Sequence, residues 1–344
     1  MSENIRTEIS TLGEFGLIDH LTKNNEIKNA STLLTVGDDA AVIDHFGKQT
    51  VITTDLLLEG VHFDLSYTPL KHLGYKSVVV NLSDIYAMNA TPTQIVLSIA
   101  FSNRFSVEAL DEFYEGVYAA CEKYHVDLVG GDTSTSNKGF IINVTAIGEV
   151  SPGKYVQRNA AKPLDLICVS GELGAAFLGL TLLEREKKIF EETGAQPHLE
   201  GQAYIVGRLL KPEARKDIVE YFAEEDIQPT SMIDISDGLS SDLLHICKQS
   251  NVGCILYEDK IPFNEEAKEF AYKLKLDPTA CALSGGEDYE LLFTVGQADY
   301  EKIKLNPSIT VIGYITDLSE GKNLITRAGN KHALVAQGWN HIAP

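Results

Sequence analysis

The sequence is poor in several things, and each shortage removes a class of function. It has 344 residues but only one tryptophan, three methionines and five cysteines. Cys121, Cys168, Cys247, Cys254 and Cys281 are odd in number and scattered, and no Cys-x-x-Cys pair occurs. Zinc-ligand spacing and a disulfide framework are thereby excluded, and the expectation is buried thiols in a reducing cytosol. No run approaches the roughly 20 apolar residues of a membrane span. The start, MSENIRTEIS, lacks the basic and apolar regions of a secretory signal, so a cytoplasmic location is expected. Positive charge is scarce: 29 Lys and Arg stand against 49 Asp and Glu, a formal net charge of −20. This balance argues against nucleic acid and against an anionic membrane surface as partners. The common nucleotide fingerprints are also missing. No Gly-Lys is followed by Ser or Thr, and no Gly-x-Gly occurs, which removes the Walker A loop, the Rossmann turn and the protein-kinase loop.

What is present is a mixed pattern with 44% apolar residues, enough for a sizeable core. Short runs rich in Val and Ile stop at acidic or small polar residues. VITTD ends at Asp55, SVVVNLSD ends at Asp84, VDLVGGDTS turns at Asp132 and SMIDISDGL turns at Asp237. These runs read as buried strands or element ends feeding polar loops. Between them lie amphipathic stretches. Residues 106–124 place Leu110, Phe113, Val117 and Cys121 on one helical stripe behind a Ser106 N-cap, and 239–249 form a second helix. The segment 150–163 carries two prolines and a glycine and is the expected boundary between domains at 1–150 and 151–344. The charged stretch 184–202 reads as solvated. The class is α/β or α+β, in two domains.

Acidic punctuation at strand ends is the unusual feature: Asp38 and Asp39, Thr53 with Thr54 and Asp55, Asp84, Asp132, and Asp234 with Asp237. Each alone is an ordinary turn or cap residue. If their strands share a sheet, the carboxylates converge, and converging carboxylates repel unless cations neutralise them. Hard oxygen ligands of this kind suit magnesium, which shares them with waters and substrate phosphates. Gly130-Gly131-Asp132 and Gly285-Gly286-Glu287-Asp288 let backbone approach a ligand beside an acid, although a lone Gly-Gly is usually a tight turn.

GDDAAVI (37–43), TTDLLLEGVHF (53–63), NLSDIYAMNATP (81–92), GGDTS (130–134), DISDGLSSDL (234–243) and LSGGEDYELLFT (283–294) occur in this order. Together they resemble the thiamine-monophosphate kinase family, and the likeness runs from GEFGLI (13–18) to GWNHI (338–342). The wider group contains aminoimidazole ribonucleotide synthetase, selenophosphate synthetase and the hydrogenase-maturation dehydratase. The first would bring a GVGTK-like stretch, the second a Cys or selenocysteine with a Lys near the N-terminus, the third a reactive terminal Cys. None is found here. A nucleotide-binding sensor without activity is the reading from another class, and the intact acidic set argues against it.

The resemblance implies an N-terminal aminoimidazole ribonucleotide synthetase-like domain that forms a homodimer, and a C-terminal domain closing over the site. It implies several magnesium ions between ATP and Asp39, Thr54, Asp55, Asp84, Asp132, Asp234 and Asp237, with Thr53 joining through its backbone. Gly131, Asp132, Arg158 and Ser236 would contact ATP, with Tyr114 near the nucleotide. His62, Glu287 and Trp339 would face thiamine monophosphate. Asn89 stands where the family is expected to have glycine, and Asn tolerates the positive φ such a turn requires. The acceptor is already an ionised phosphate monoester, so no catalytic general base is expected. Direct in-line phosphoryl transfer follows, driven by positioning and charge neutralisation.

Overall fold

The computed structural model describes residues 32–34, 37–45, 47–102 and 105–336. Trp339 and the GEFGLI and GWNHI segments lie outside the described residues.

Two sheets carry the fold. The first contains β1 (Thr32–Leu34), β2 (Ala41–His45), β3 (Lys48–Leu58), β4 (Thr91–Phe101), β5 (Asp127–Thr135) and β6 (Ile141–Val150), in the order β1-β2-β3-β6-β4-β5. Only β4 and β5 run parallel; the other neighbours are antiparallel. Helices α1 (Leu70–Ala87) and α2 (Val107–Tyr124) accompany this sheet, and α1 packs against β3, β6 and β4. The two helices meet backbone to backbone. A Cβ on Gly74 would lie 1.9 Å from the Phe113 carbonyl oxygen, and one on Gly116 would lie 1.8 Å from that of Lys71. No side chain fits at either contact.

The second sheet is built from β7 (Leu166–Ser170), β8 (Ser231–Asp234), β9 (Gly253–Tyr257), β10 (Leu291–Val295), β11 (Ile309–Thr316), β12 (Lys322–Ile325) and β13 (Lys331–Ala333), in the order β13-β12-β9-β11-β7-β10-β8. Its longer helices are α3 (Ala175–Thr193), α4 (Ala203–Leu210), α5 (Lys216–Glu224), α6 (Leu239–Gln249), α7 (Glu265–Lys273) and α8 (Pro278–Ser284). The loop 151–165 separates the two sheets.

Strand alternation decides which core each residue joins. On β8 and β10, Met232, Leu291, Phe293 and Val295 face one way and belong to the same buried cluster as Val51, Leu82, Ile85 and Val144 of the first unit. Ile233 and Leu292 face the other way and pack with Leu239, Leu243 and Ile246 of α6. Phe222 of α5 seals the shared core edge-on against Phe293, with ring centroids 4.9 Å apart. One apolar core therefore crosses from the first sheet to the second.

Three local expectations change. SVVVNLSD is the interior of α1, not a strand, and Asp84 sits in that helix's last turn. The helix has the first sheet on one side and β8 with α4 on the other, so it shows no polar stripe and its β-branched run reads like a buried strand. Strand β3 continues past Asp55 to Leu58, and β5 continues through Asp132 to Thr135. The helix expected from Ser106 is α2, with the Ser106 hydroxyl accepting from the Ala109 N–H at 3.3 Å. Asn89 adopts φ 57°, the left-handed conformation its turn requires.

Candidate active site

Strand β3 and helix α1 lie side by side, and their polar residues interlock. Thr53 and Asp55 share one face of β3. The Thr53 hydroxyl donates to Asp84 Oδ2 at 2.6 Å, and the Asp55 N–H donates to Asn81 Oδ1 at 3.0 Å. Thr54 points to the opposite face, where its Oγ1 donates to the Val144 carbonyl and receives bonds from Asn143 and Thr145. Strand parity thus gives Thr53, not Thr54, the hydroxyl on the acidic side.

The second sheet brings Asp234 at the end of β8 to the same place. Ser83 Oγ donates to Asp234 Oδ2 at 2.6 Å, in the interior. The loop before β2 adds Asp39, and carboxylate oxygens of Asp39, Asp84 and Asp234 all lie within 4.8 Å of one another. Arg158, from the inter-sheet loop, is paired with this group. Its Nε donates to Asp39 Oδ2 at 2.7 Å, its second guanidinium nitrogen pairs with the same carboxylate, and its backbone N–H donates to Asp38 Oδ2 at 3.1 Å.

One guanidinium does not balance so many acids. Burial, then the charges of Asp55, Asp234 and Asp39, push the Asp84 carboxyl well above its ordinary value. Asp234 is raised to about 7 by burial and by Asp39, and Asp55 to about 6 by burial and by Glu287. Asp38 is raised to about 7 by burial and Asp39, against the pull of Arg158. Hard oxygen donors, held by hydroxyl and amide neighbours and short of positive charge, fit a divalent cation of the magnesium type.

A cleft of about 460 Å³ opens on this cluster. Asp55, Asp84, Asp234, Ser236, Asp237, His62 and Glu287 line it together, so the structure gathers candidates from four separate motifs. Phe63, Tyr67, Leu180 and Leu209 supply apolar and aromatic walls. His62 Nδ1 accepts the Leu58 N–H at 3.0 Å, which places the ring proton on Nε2. Two loops of the second unit interlock beside the cleft. The Glu287 N–H donates to the Ser236 carbonyl at 2.7 Å, and a Cβ on Gly286 would meet that same oxygen at 2.5 Å. Gly286 is therefore required by loop packing. Asp288 faces away from the cleft, and its Oδ2 receives the Gly174 N–H at the start of α3, 2.8 Å away. The neighbouring Asp242 of α6 caps its own helix, accepting from the Asp237 and Gly238 N–H groups at 3.3 and 3.2 Å.

Other candidates lie elsewhere. Gly131 and Asp132 are on exposed edge strand β5, where a Cβ on Gly131 would come within 1.9 Å of the Leu97 carbonyl oxygen of β4. Close strand pairing accounts for that glycine. Tyr114 is half-buried on α2 beside Phe113 and Tyr118 and does not line the cleft. Sequence reasoning also missed participants. Asn81 and Ser83 flank Asp84 within NLSD, and Lys76, two turns earlier on α1, forms an ion pair with Glu287. A lysine inside a helix otherwise rich in Val and Leu is the one signal that pointed to it.

Comparison with known proteins bears directly on this site. The family model described as AIR synthase related protein, N-terminal domain, matches residues 37–150. The thiamine-monophosphate kinase of Bacillus subtilis is 33% identical over 337 residues, covering 96% of this chain and all of the relative. That of Aquifex aeolicus is 36% identical over 336 residues, covering 97% and 99%. The chain belongs to the thiamine-monophosphate kinase family. Its fold matches the solved structure of AaThiL complexed with AMPPCP and TMP, with a TM-score of 0.83 at 34% identity over 99% of this chain and all of that one. A hydrogenase-maturation protein, HypE in complex with ATP, shares the fold at 19% identity and a TM-score of 0.70. The thiamine-monophosphate kinase motifs named from the sequence fall, for the most part, on one cleft between the two sheets.

Proposed function

We propose that this chain transfers the γ-phosphoryl group of ATP to the phosphate of thiamine monophosphate, giving thiamine diphosphate and ADP. The observation that carries the reading is the convergence of Asp39, Asp84 and Asp234 at the cleft of a chain that belongs to this family over its whole length. A relative binding both AMPPCP and TMP supports the pair of substrates.

Two anions must meet in this reaction, in a cleft that is itself acidic. Asp39, Asp84 and Asp234, with Asp55 and Asp237 beside them, would hold magnesium ions, which when bound neutralise phosphate charge and polarise the transferred group. Thr53 and Ser83 fix the carboxylates through their hydroxyls, so that the donor oxygens are set before substrate arrives. Arg158 holds Asp39 in place and presents a guanidinium next to the same cluster, suited to a phosphate oxygen. Ser236 offers a further hydrogen-bonding group at the rim. His62 lines the same cleft, with its ring oriented by the Leu58 N–H, and would face the substrate. The aromatic and apolar walls around Phe63, Tyr67 and Leu209 suit the rings of the thiamine half. The acceptor oxygen is already ionised near neutral pH, so no residue needs to act as a strong base.

The same reading makes the enzyme a cytoplasmic homodimer. Among the described residues no helix is long and apolar enough to cross a membrane. The face of the first sheet remote from α1 leaves Leu56 51% and Val129 58% exposed, a surface suited to a second copy of the chain.

Incubation with ATP, Mg²⁺ and either thiamine monophosphate or thiamine tests the proposal. Equal amounts of ADP and thiamine diphosphate, formed only with the monophosphate and only with metal, are expected. ATP binding without any product from thiamine monophosphate would overturn it.

A further inference from the structure

Lys76 is the only lysine or arginine lining the cleft among the described residues, against seven carboxyl side chains. It projects from α1 on the same stripe as Val80 and Asp84, each four residues on, so that Lys76 stands about 12 Å along the helix axis from the metal-site aspartate. Its side chain is only 6% exposed, and its Nζ is paired with Glu287 Oε2. Glu287 is the more open partner, at 32%. The glutamate is also held firmly. It adopts φ 63°, its N–H is bonded to Ser236, and its Oε1 receives the Tyr289 hydroxyl at 3.3 Å. A non-glycine residue in the left-handed region is kept there by its surroundings, and such conformations cluster at ligand sites.

An ion pair with one partner buried is a poor way to gain stability, because the cost of desolvation offsets much of the attraction. This one lies on the cleft wall, in a chain that otherwise crowds the cleft with negative charge. Its two charges are complementary to a zwitterion. On the kinase reading, the acceptor is one: a phosphate monoester attached to a cationic thiazolium. We propose that Lys76 determines specificity for the phosphorylated acceptor, its ammonium leaving Glu287 to pair with the acceptor phosphate while Glu287 turns to the positively charged ring system. The enzyme's own pair is thereby exchanged for two pairs with substrate, and neither charge is left alone. Free thiamine carries the positive ring without the phosphate, so it can engage Glu287 only by leaving Lys76 unpaired. The exchange therefore favours the monophosphate over thiamine before any chemistry occurs.

The test is calorimetric titration of the full-length protein with thiamine monophosphate and with thiamine, in Mg²⁺ and AMPPCP. The wild type is expected to prefer the monophosphate. In Lys76→Gln the affinity for the monophosphate should fall by about tenfold or more, as expected for loss of a charge-assisted contact, while affinity for thiamine is unchanged or improved. Lys76→Arg should restore most of the preference. The double variant Lys76→Met with Glu287→Gln removes both charges of the pair and keeps the wall apolar or neutral, so it provides a folded comparison in which the preference should also be lost. A parallel loss of both ligands in Lys76→Gln, or a preference that survives in the double variant, would overturn the assignment and leave Lys76 as a loop anchor. Failure of the wild type to bind thiamine monophosphate at all would instead remove the kinase reading, so the two failures are distinct.

Discussion

Ser83 and Asp234 are 151 positions apart in the chain, yet the serine hydroxyl donates to the aspartate at 2.6 Å inside the protein. The bond ties α1 of the first unit to β8 of the second at the point where the acidic cluster forms. Asp234 is almost completely buried, and the hydroxyl is a hydrogen-bond donor that favours its ionised form. Replacing Ser83 with Ala should cost about 1–3 kcal/mol, the range for stranding a buried acceptor. It should also raise the Mg²⁺ concentration needed for half-maximal turnover. Chemical denaturation and a Mg²⁺ titration at fixed ATP measure the two effects, and an unchanged Mg²⁺ requirement would count against Ser83 as a support of the metal site.

Asp84→Asn separates stability from function. The ionised Asp84 faces Asp55, Asp234 and Asp39, and the amide keeps the shape and can still accept the Thr53 hydroxyl through its oxygen. In EDTA the variant should melt at a higher temperature than the wild type, since the cost of burying a carboxyl among like-charged neighbours has gone. Turnover with Mg²⁺ should fall on the order of 100-fold or more, as expected when a charge-stabilising group is lost. Near-normal rates at saturating Mg²⁺ would remove Asp84 from the metal site.

The raised carboxyls also fix the sign of a pH effect. Asp55 and Asp234, at about 6 and about 7 in the folded protein, lie above the ordinary aspartate value of 3.8. Between these limits the folded state holds protons that the unfolded state has released. Stability without metal therefore falls as pH rises from about 4 through about 7, the opposite of a salt-bridged aspartate. Mg²⁺ competes with those protons, so its stabilising effect should grow with pH. Melting temperatures at pH 5.5 and pH 8, each with EDTA and with Mg²⁺, check this. A larger Mg²⁺ shift at pH 5.5 than at pH 8 would contradict it.

Gly116→Ala probes the helix pair beneath the site. The added methyl would fall 1.8 Å from the Lys71 carbonyl oxygen, and both partners are backbone, so neither can turn aside. The expected loss is about 3 kcal/mol or more, at the upper end of overpacking effects. Gly130→Ala, where a Cβ meets nothing within 4 Å, is the control and should differ little in melting temperature.

Much of this arrangement was legible in the sequence for a physical reason. Carboxylates, hydroxyls and glycines in short fixed strings state the chemistry directly, and Asp39, Asp84 and Asp234 do converge, although a loop, a helix and the second sheet supply them rather than strands of one sheet. The amphipathic α2 and α6 could be read because one face of each meets water or a different layer. Helix α1 could not, since it is covered on both sides and has no polar face to set the period. The choice between the Thr53 and Thr54 hydroxyls depends on strand parity, which a one-residue shift reverses. Lys76 and Glu287 are joined across 211 positions, and no local pattern in either segment announces the pair.

The alternating faces of β8 and β10 have a consequence for how the molecule comes apart. Met232, Leu291 and Phe293 complete the interior of the first unit, while Ile233 and Leu292 complete that of the second. Heat cannot loosen one half without stripping a wall from the other. The two units should share a single cooperative endotherm, and a fragment ending near Val150 would leave the outer side of α1 as bare hydrocarbon.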